Sequence, residues 1–339
     1  MLFAVAAGVG LFVFEARENS LKDNFRIAFF DAAESRREEV VIEYYDALGA
    51  TGMFQVLEEE NPACHFEAHE IGKAVYKDTE DLNDSIKICG KHCTGGCFHG
   101  ALIEAFKDIV PKPDLPESHI ELADLKNKMQ ELCSREVVTD IHREGKCIHG
   151  VGHALTFLSD YNLDQAISYC ELLGDKPREH YCAEGAFMEF IFLSEFSRAK
   201  TELSHYPCDT YTKFPAACYR SQAQKIRQVL ENPEKVGEEC LKLSGFNRLG
   251  CFYGMGFAYS NDVRGNPRML PNLCRQGNAD DKRICIEGAM EKPEDPQFKA
   301  TADACEYLGD ELKPFCLTAY NNKSYSLSKS FELYFDQFE

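Results

Sequence analysis

Residues 146–155 read KCIHGVGHAL and hold one cysteine, two histidines and two glycines. His149 and His153 stand four positions apart, so on an α-helix both imidazoles leave the same face about one turn apart. This spacing lets a helix offer two nitrogen ligands to one metal ion. Gly150 and Gly152 allow a second helix to approach closely. The stretch recurs in weaker form along the chain, so it predicts both a repeat architecture and a candidate site.

The cysteines give the length of the repeat. Eight of the sixteen are separated by 33, 50, 35, 36, 33, 34 and 31 residues: Cys64, Cys97, Cys147, Cys182, Cys218, Cys251, Cys285 and Cys316. The long interval contains a proline-rich insertion at 111–119, PKPDLPESH, which accounts for the excess. A period in the low thirties is typical of a helix–turn–helix unit. The third residue after each cysteine is small in every unit but the first, which favours close contact between helix backbones.

Six of these cysteines have a partner ten to fourteen residues upstream, with turn-forming residues between the two. We expect one helix to end near the first cysteine and the next to start at the second. A disulfide across each turn would contribute about 2–3 kcal/mol by restricting the unfolded chain. The predicted pairs are Cys133–Cys147, Cys170–Cys182, Cys208–Cys218, Cys240–Cys251, Cys274–Cys285 and Cys305–Cys316.

The other four cysteines, Cys64, Cys89, Cys93 and Cys97, leave alternatives open. The even total of sixteen favours complete pairing, with either Cys89 or Cys93 bound to Cys97 and the other to Cys64. The alternative is a thiolate site for a soft metal or an iron–sulfur cluster. Gly95 and Gly96 argue against the continuous helix that such a site needs.

The unit at 147–182, CIHGVGHALTFLSDYNLDQAISYCELLGDKPREHYC, resembles the αα repeats of cysteine-rich Sel1-like and TPR-like proteins. The matching residues are Gly150, Gly152, Asp164, Ala166, Ile167 and the Cys170/Cys182 pair. In period and cysteine placement the resemblance covers roughly residues 64–320. It implies a right-handed helical solenoid outside the cytosol, and it carries no catalytic residues across. The expected fold is therefore all-α, a disulfide-stapled solenoid of about eight units of 31–36 residues.

The first fourteen residues, MLFAVAAGVGLFVF, carry no charge. We expect a membrane anchor or export signal at 1–14, the alternative being a buried core helix. N-terminal helices at 15–61, the repeat domain at 62–320 and a C-terminal capping helix at 321–339 complete the expected organisation. The chain would be membrane-anchored or exported, with its folded part in an oxidising compartment, where disulfides persist.

Charge excludes one class of partner. With 56 acidic and 37 basic residues the net charge is −19, and no lysine–arginine cluster offsets it, so a nucleic-acid partner is not expected. The P-loop, the dinucleotide-binding glycine pattern, the nucleophile elbow and the zincin H-E-x-x-H are all absent from the sequence.

Five histidines fall in or beside the helices that open the first three repeats: His65, His69, His99, His149 and His153. Neighbouring helices of a repeat stack pack about 10 Å apart, so these imidazoles are expected to converge. Several imidazoles with one open position suit zinc, copper or non-haem iron. Glu70, Glu104 and Glu184 are candidates for a carboxylate ligand, an orienting group or a general base. The remaining five, His92, His119, His142, His180 and His205, are expected to be exposed to solvent.

The leading hypothesis is an extracytoplasmic metal-binding protein, either a metalloenzyme or a metal carrier. The alternative is a scaffold without catalytic activity that binds a protein or peptide in a concave groove. In that case the histidines only cap or bridge helices, and an aromatic groove is expected from Phe187, Phe190, Phe252, Tyr253 and Phe257.

Overall fold

The computed structural model describes residues 2–61, 64–90, 92–110, 122–134, 141–193, 203–291 and 302–321. Within these ranges it describes the backbone alone for residues 2–16, 94, 141–144 and 146. The proline-rich insertion with His119, and residues 322–339 of the expected capping helix, lie outside the described residues. All regular secondary structure in the described part is helical, which confirms the all-α class. The chain forms two units, residues 1–107 and 108–339.

The first unit contains five α-helices: α1 Leu2–Asp31, α2 Arg37–Glu60, α3 Ala68–Thr79, α4 Leu82–Cys89 and α5 Gly96–Phe106. Its core forms where Phe25 and Phe29 of α1 meet the apolar face of α2, including Phe54 and Leu57. Gly49 leaves helical geometry inside α2 with φ 61°, a value that glycine adopts without strain. The apolar residues 2–14 belong to α1, and across the described ranges no helix has the length and apolar content needed to cross a membrane.

The second unit begins with α6 Leu122–Leu132, α7 Ile141–Leu158, α8 Leu163–Cys170, α9 Lys176–Leu193 and α10 Pro215–Leu230. It continues with α11 Pro233–Leu241, α12 Gly245–Ala258, α13 Ser260–Gly265, α14 Leu270–Leu273, α15 Ala279–Met290 and α16 Lys313–Asn321. The helices that carry the second cysteine of each pair pack one against the next, in the order α7, α9, α10, α12, α15, α16.

Side-chain caps fix where several of these helices begin. Asn162 accepts a hydrogen bond from the Gln165 backbone at the start of α8, and Asn232 does the same for the first turn of α11. Asn278 forms a reciprocal capping box with Asp281 at the start of α15. Such caps satisfy backbone donors that a helix leaves without intrahelical partners.

All sixteen cysteines are paired in eight disulfides, and all six pairs predicted from spacing are present. For the four cysteines whose pairing the sequence left open, the bonds are Cys64–Cys93 and Cys89–Cys97. No thiolate remains for a metal, so the alternative of a soft-metal cysteine site is wrong. One detail of the prediction is also wrong: the second helix of each pair begins before its cysteine, and α9 begins at Lys176, six residues before Cys182.

The small residue three positions after the repeat cysteine acts as the sequence predicted. A Cβ atom added to Gly100, Gly185, Gly254 or Gly288 would lie 1.8–2.3 Å from a backbone carbonyl oxygen of an earlier helix of the same unit. Real Cβ contacts do not reach such distances, so only glycine permits these backbones to touch. The touched carbonyls belong to His69, His149, Arg220 and Tyr253, each two or five residues after a repeat cysteine.

Candidate metal centres

Glycine contacts assemble the first histidine group, which lies within the first unit. His65 stands just before α3, His69 lies in its first turn, and His99 lies on α5. The Cα atoms of Gly96 and Gly100 press against the carbonyls of His65 and His69, where an added Cβ would approach within 1.8 and 1.9 Å. Because these glycines flank His99 on both sides, the same packing brings its imidazole beside the other two.

The three imidazoles of this group form a compact set. His99 Nδ1 lies 3.1 Å from His65 Nε2. One ring nitrogen of each histidine lies within 4.8 Å of those of the other two. His69 and His99 are buried and His65 is partly exposed, so the group is open to solvent on the His65 side. Three nitrogen ligands with an open position form the arrangement found in catalytic zinc sites.

The second histidine group lies within the second unit, on one face of α7. His149 Nε2 and His153 Nε2 are 3.1 Å apart, as the i, i+4 spacing predicted. On the side of the His153 ring away from His149, its Nδ1 lies 2.8 Å from Glu189 Oε2. The Nδ1 atom of His149 lies 3.9 Å from Glu184 Oε2. Both carboxylates come from α9 and are fully buried.

Glu189 determines which nitrogen of His153 carries the proton. A neutral imidazole beside a carboxylate keeps its proton on the nitrogen that faces the carboxylate. His153 therefore donates from Nδ1 to Glu189, and its Nε2 lone pair faces Nε2 of His149 at 3.1 Å. Either a hydrogen bond from His149 Nε2 or a cation held by both rings satisfies this lone pair.

The spacing itself matches two ligands of one ion. For metal–nitrogen bonds of about 2.05 Å, two nitrogens are about 2.9 Å apart at a right angle and about 3.3 Å apart at the tetrahedral angle. The 3.1 Å between the Nε2 atoms of His149 and His153 falls between these values. The 3.1 Å between His65 and His99 does so as well. Complete burial lowers the pKa of His153 to about 3, so this imidazole is in the neutral, ligating form.

A buried polar column continues from His149 through the second unit. The residues two positions after Cys147, Cys182, Cys218, Cys251 and Cys285 are buried: His149, Glu184, Arg220, Tyr253 and Glu287. The column ends there, because Thr318, two positions after Cys316, is exposed. Glu184 lies 3.6 Å from Arg220 Nη1. The glycine contacts described above explain this alignment, because they hold successive helices at the same register.

Arg220 joins the carboxylate behind His149 to a second carboxylate. Its Nη2 donates to both oxygens of Glu291 at 3.1 Å, and Tyr253 donates from its hydroxyl to Glu291 Oε2 at 2.5 Å. Burial, followed by the charge of Glu291, raises the pKa of Tyr253 well above its ordinary value, so this phenol stays protonated. The guanidinium of Arg220 thus lies between two buried carboxyl groups, those of Glu184 and Glu291.

Two of the three candidate carboxylates lie elsewhere. Glu70 binds Lys73 through both oxygens at 3.0 Å. Glu104 pairs with Lys107 and lies 3.9 Å from Lys77. Both form salt bridges to lysines, whereas Glu184 Oε2 lies 3.9 Å from His149 Nδ1; a role for any of the three in a site stays a prediction.

The prediction of solvent exposure is wrong for His180. This side chain is buried, and its Nε2 lies 3.3 Å from Glu184 Oε1, one turn away on α9. His92 is half-buried, stacks on Phe54 at a ring separation of 4.5 Å, and faces Glu58. His205 is partly buried beside Glu239. The side chain of His142 lies outside the described part.

Glu189 was missed by the sequence interpretation. It stands in AFMEFIF, where a single acid interrupts an apolar run. A carboxylate at such a position is normally buried and therefore needs a partner, and this was the available signal. The aromatic residues expected to line a groove are mostly core residues: Phe187, Phe252 and Tyr253 are at most 1% exposed.

No protein-family model, curated protein or solved structure matches this chain. The structure brings His65, His69 and His99 together in the first unit, and His149 and His153 together in the second. The expectation that all five serve one ion stays a prediction.

Proposed function

We propose that this protein binds a divalent transition metal ion through imidazole ligands in an oxidising compartment. The observation that carries the proposal is the pair of Nε2 atoms of His149 and His153, which face one another at 3.1 Å with buried carboxylates behind both rings. Imidazole-rich sites suit zinc, copper and iron. The eight disulfides support the compartment.

The surrounding residues have distinct roles in this proposal. His149 and His153 supply Nε2 ligands, while Glu184 and Glu189 fix the tautomers and raise the basicity of the rings. His65, His69 and His99 supply the ligands of the first unit. Partial exposure of His65 leaves access for water or for a small substrate, as a metalloenzyme needs; a carrier would use the same access for transfer of the ion.

Metal content is the direct test. The protein is produced with its disulfides formed, without a polyhistidine tag, and analysed by elemental mass spectrometry after cobalt or zinc loading and dialysis. We expect retained metal in the parent protein, loss in His149→Ala and His153→Ala for the second unit, and loss in His65→Ala and His99→Ala for the first. His205→Ala and His92→Ala are matched controls that should retain the parent content.

The stoichiometry distinguishes one ion from two. The positions of the five histidines at the openings of neighbouring repeats predict that they all serve one ion. Any one of the four ligand variants should then lose all of the bound metal. Two independent ions would leave about half of the metal in each variant. A parent protein that binds no metal after loading would contradict the proposal, and the peptide-binding scaffold would then be the better account.

We also propose that the cysteine-bearing helices form a Sel1-like solenoid and that the apolar residues 1–14 direct export or anchoring. The repeated glycine contacts between successive helices support the first point. Protease protection of the chain in intact cells, before and after membrane disruption, tests the second.

A further inference from the structure

A cleft of about 650 Å³ opens in the second unit between the start of α8 and the segment that leads into α10. Its volume lies in the range of small-molecule sites. The residues that give it chemical character are Tyr161, Asp164, Phe190, Tyr206, Tyr211 and Lys213.

Aromatic rings form much of the wall. Phe190 and Tyr206 meet at a ring separation of 6.0 Å and an interplanar angle of 59°. Tyr211, on the same segment as Tyr206, donates a hydrogen bond from its hydroxyl to Asp164 Oδ1 at 2.8 Å and so joins this segment to the start of α8. The faces of such rings carry partial negative charge and attract cations.

The charged residues of the cleft favour the same kind of ligand. Lys213 forms a salt bridge with Glu171 at 2.8 Å, so its positive charge is compensated. Asp164 is exposed at the rim and uses one oxygen for Tyr211. Among the described residues this leaves a net negative charge beside four aromatic rings. The raised pKa of Tyr211, caused first by burial and then by Asp164 and Glu171, agrees with a negative local field.

We propose that this cleft binds an organic cation, a guanidinium or alkylammonium group whose apolar part packs on Phe190 and Tyr206 and whose charge faces Asp164. A neutral or anionic molecule of the same shape would lack both the attraction of a cation to the ring faces and its attraction to the carboxylate of Asp164. The proposal does not depend on the presence of a metal.

The cleft is nevertheless connected to the second histidine group. Tyr161 lines the cleft, and its hydroxyl donates to Glu189 Oε1 at 3.4 Å. The other oxygen of Glu189 lies 2.8 Å from His153 Nδ1. A cation bound in the cleft is therefore next to Tyr161, which contacts Glu189, and Glu189 in turn contacts the candidate ligand His153.

Binding of N-acetyl-arginine amide is measured by calorimetry on the disulfide-bonded protein after dialysis against a chelator, so that failure of the metal proposal leaves this test intact. N-acetyl-citrulline amide serves as the neutral analogue of equal shape. We expect the arginine compound to bind about tenfold more tightly. Asp164→Asn should weaken its binding by up to about fivefold, the value of one exposed ion pair, whereas Asp310→Asn, an exposed acid outside the cleft, should not.

Two variants of Tyr206 separate the ring from its hydroxyl. Tyr206→Phe should retain binding, because the ring face is kept, while Tyr206→Leu should weaken it; circular dichroism checks that both are folded. Equal binding of the arginine and citrulline compounds, absence of binding by either, or an unchanged affinity in both Asp164→Asn and Tyr206→Leu would overturn the proposal.

Discussion

Gly185 of α9 lies against the backbone carbonyl oxygen of His149 on α7, and a Cβ atom at this glycine would approach that oxygen to 1.8 Å. The residue before this glycine is Glu184, the carboxylate that faces His149. One glycine contact therefore sets both the distance between two helices and the placement of an imidazole beside its carboxylate. In this protein the packing motif of the repeat and the geometry of the candidate site are the same feature.

Gly185→Ala tests this relationship. The methyl group has no space, so α7 and α9 must separate, and we expect the free energy of unfolding to fall by about 2 kcal/mol or more. Chemical denaturation of the disulfide-bonded protein measures it. Gly265→Ala is the control, since nothing lies within 4 Å of a Cβ added there. Equal stability of the two variants would show that the close contact is not required.

Glu189→Gln tests the carboxylate behind His153. Glutamine keeps the size of the side chain but removes its charge, so the Nδ1 proton is held less firmly and the ring becomes a poorer ligand. We expect metal affinity to fall about tenfold or more, measured by competition with a chromogenic chelator. Glu70→Gln, whose carboxylate binds Lys73, should leave the affinity unchanged. An unaltered affinity in Glu189→Gln would remove Glu189 from the site.

Peptide mapping without reduction tests the disulfide framework. We expect the short-range pairs Cys170–Cys182, Cys240–Cys251 and Cys274–Cys285 as linked peptides. In the first unit, trypsin leaves Cys93 and Cys97 on one peptide, so that peptide should be found joined to two others, which carry Cys64 and Cys89. Recovery of these cysteines as free thiols from the native compartment would contradict both the framework and the localisation.

Tyr211 gives a prediction at alkaline pH. Burial, and then the hydrogen bond to Asp164, raise the pKa of this phenol above its ordinary value of 10.0. The folded state therefore holds the proton more tightly than the unfolded state. The stability from this group is complete below pH 10 and is lost as the pH rises toward the folded pKa.

The comparison with Tyr211→Phe isolates this contribution. At pH 8 the variant should be less stable by about 1 kcal/mol, the usual value of one hydrogen bond. The difference should shrink as the pH is raised from 9.5 to 11. Urea denaturation at each pH provides the measurement, and a difference that stays constant across this range would show that Tyr211 does not retain its proton preferentially.

Much of the architecture follows from the sequence because it rests on local rules. Cysteine spacing identifies the pairs across each turn, and the small residue three positions later marks the helix contact, so Gly185 and Gly254 were placed correctly. The choice between Cys89 and Cys93 was not decidable, because both lie near Cys97 and only the fold of 90–97 determines which one reaches it.

The candidate site was less predictable, because burial of a polar side chain depends on neighbouring helices. His180 is expected from the sequence to be exposed to solvent, yet α9 already begins at Lys176 and places this ring one turn before Glu184. Glu189 lies at a position that a sequence pattern marks only as unusual. The identity of its partner, His153, comes from the packing of α9 against α7.

The order of disulfide connections has a consequence for synthesis. Six of the eight bonds join cysteines only ten to fourteen residues apart, with no other cysteine between them. Each of these can close as soon as its own hairpin meets oxidising conditions, before the next cysteine of the chain is available to compete. Only Cys64–Cys93 and Cys89–Cys97 interlock, since each bond encloses one cysteine of the other. Joining consecutive cysteines in chain order therefore yields the native bonds everywhere except in the first unit, where it would give Cys64–Cys89 and Cys93–Cys97 instead.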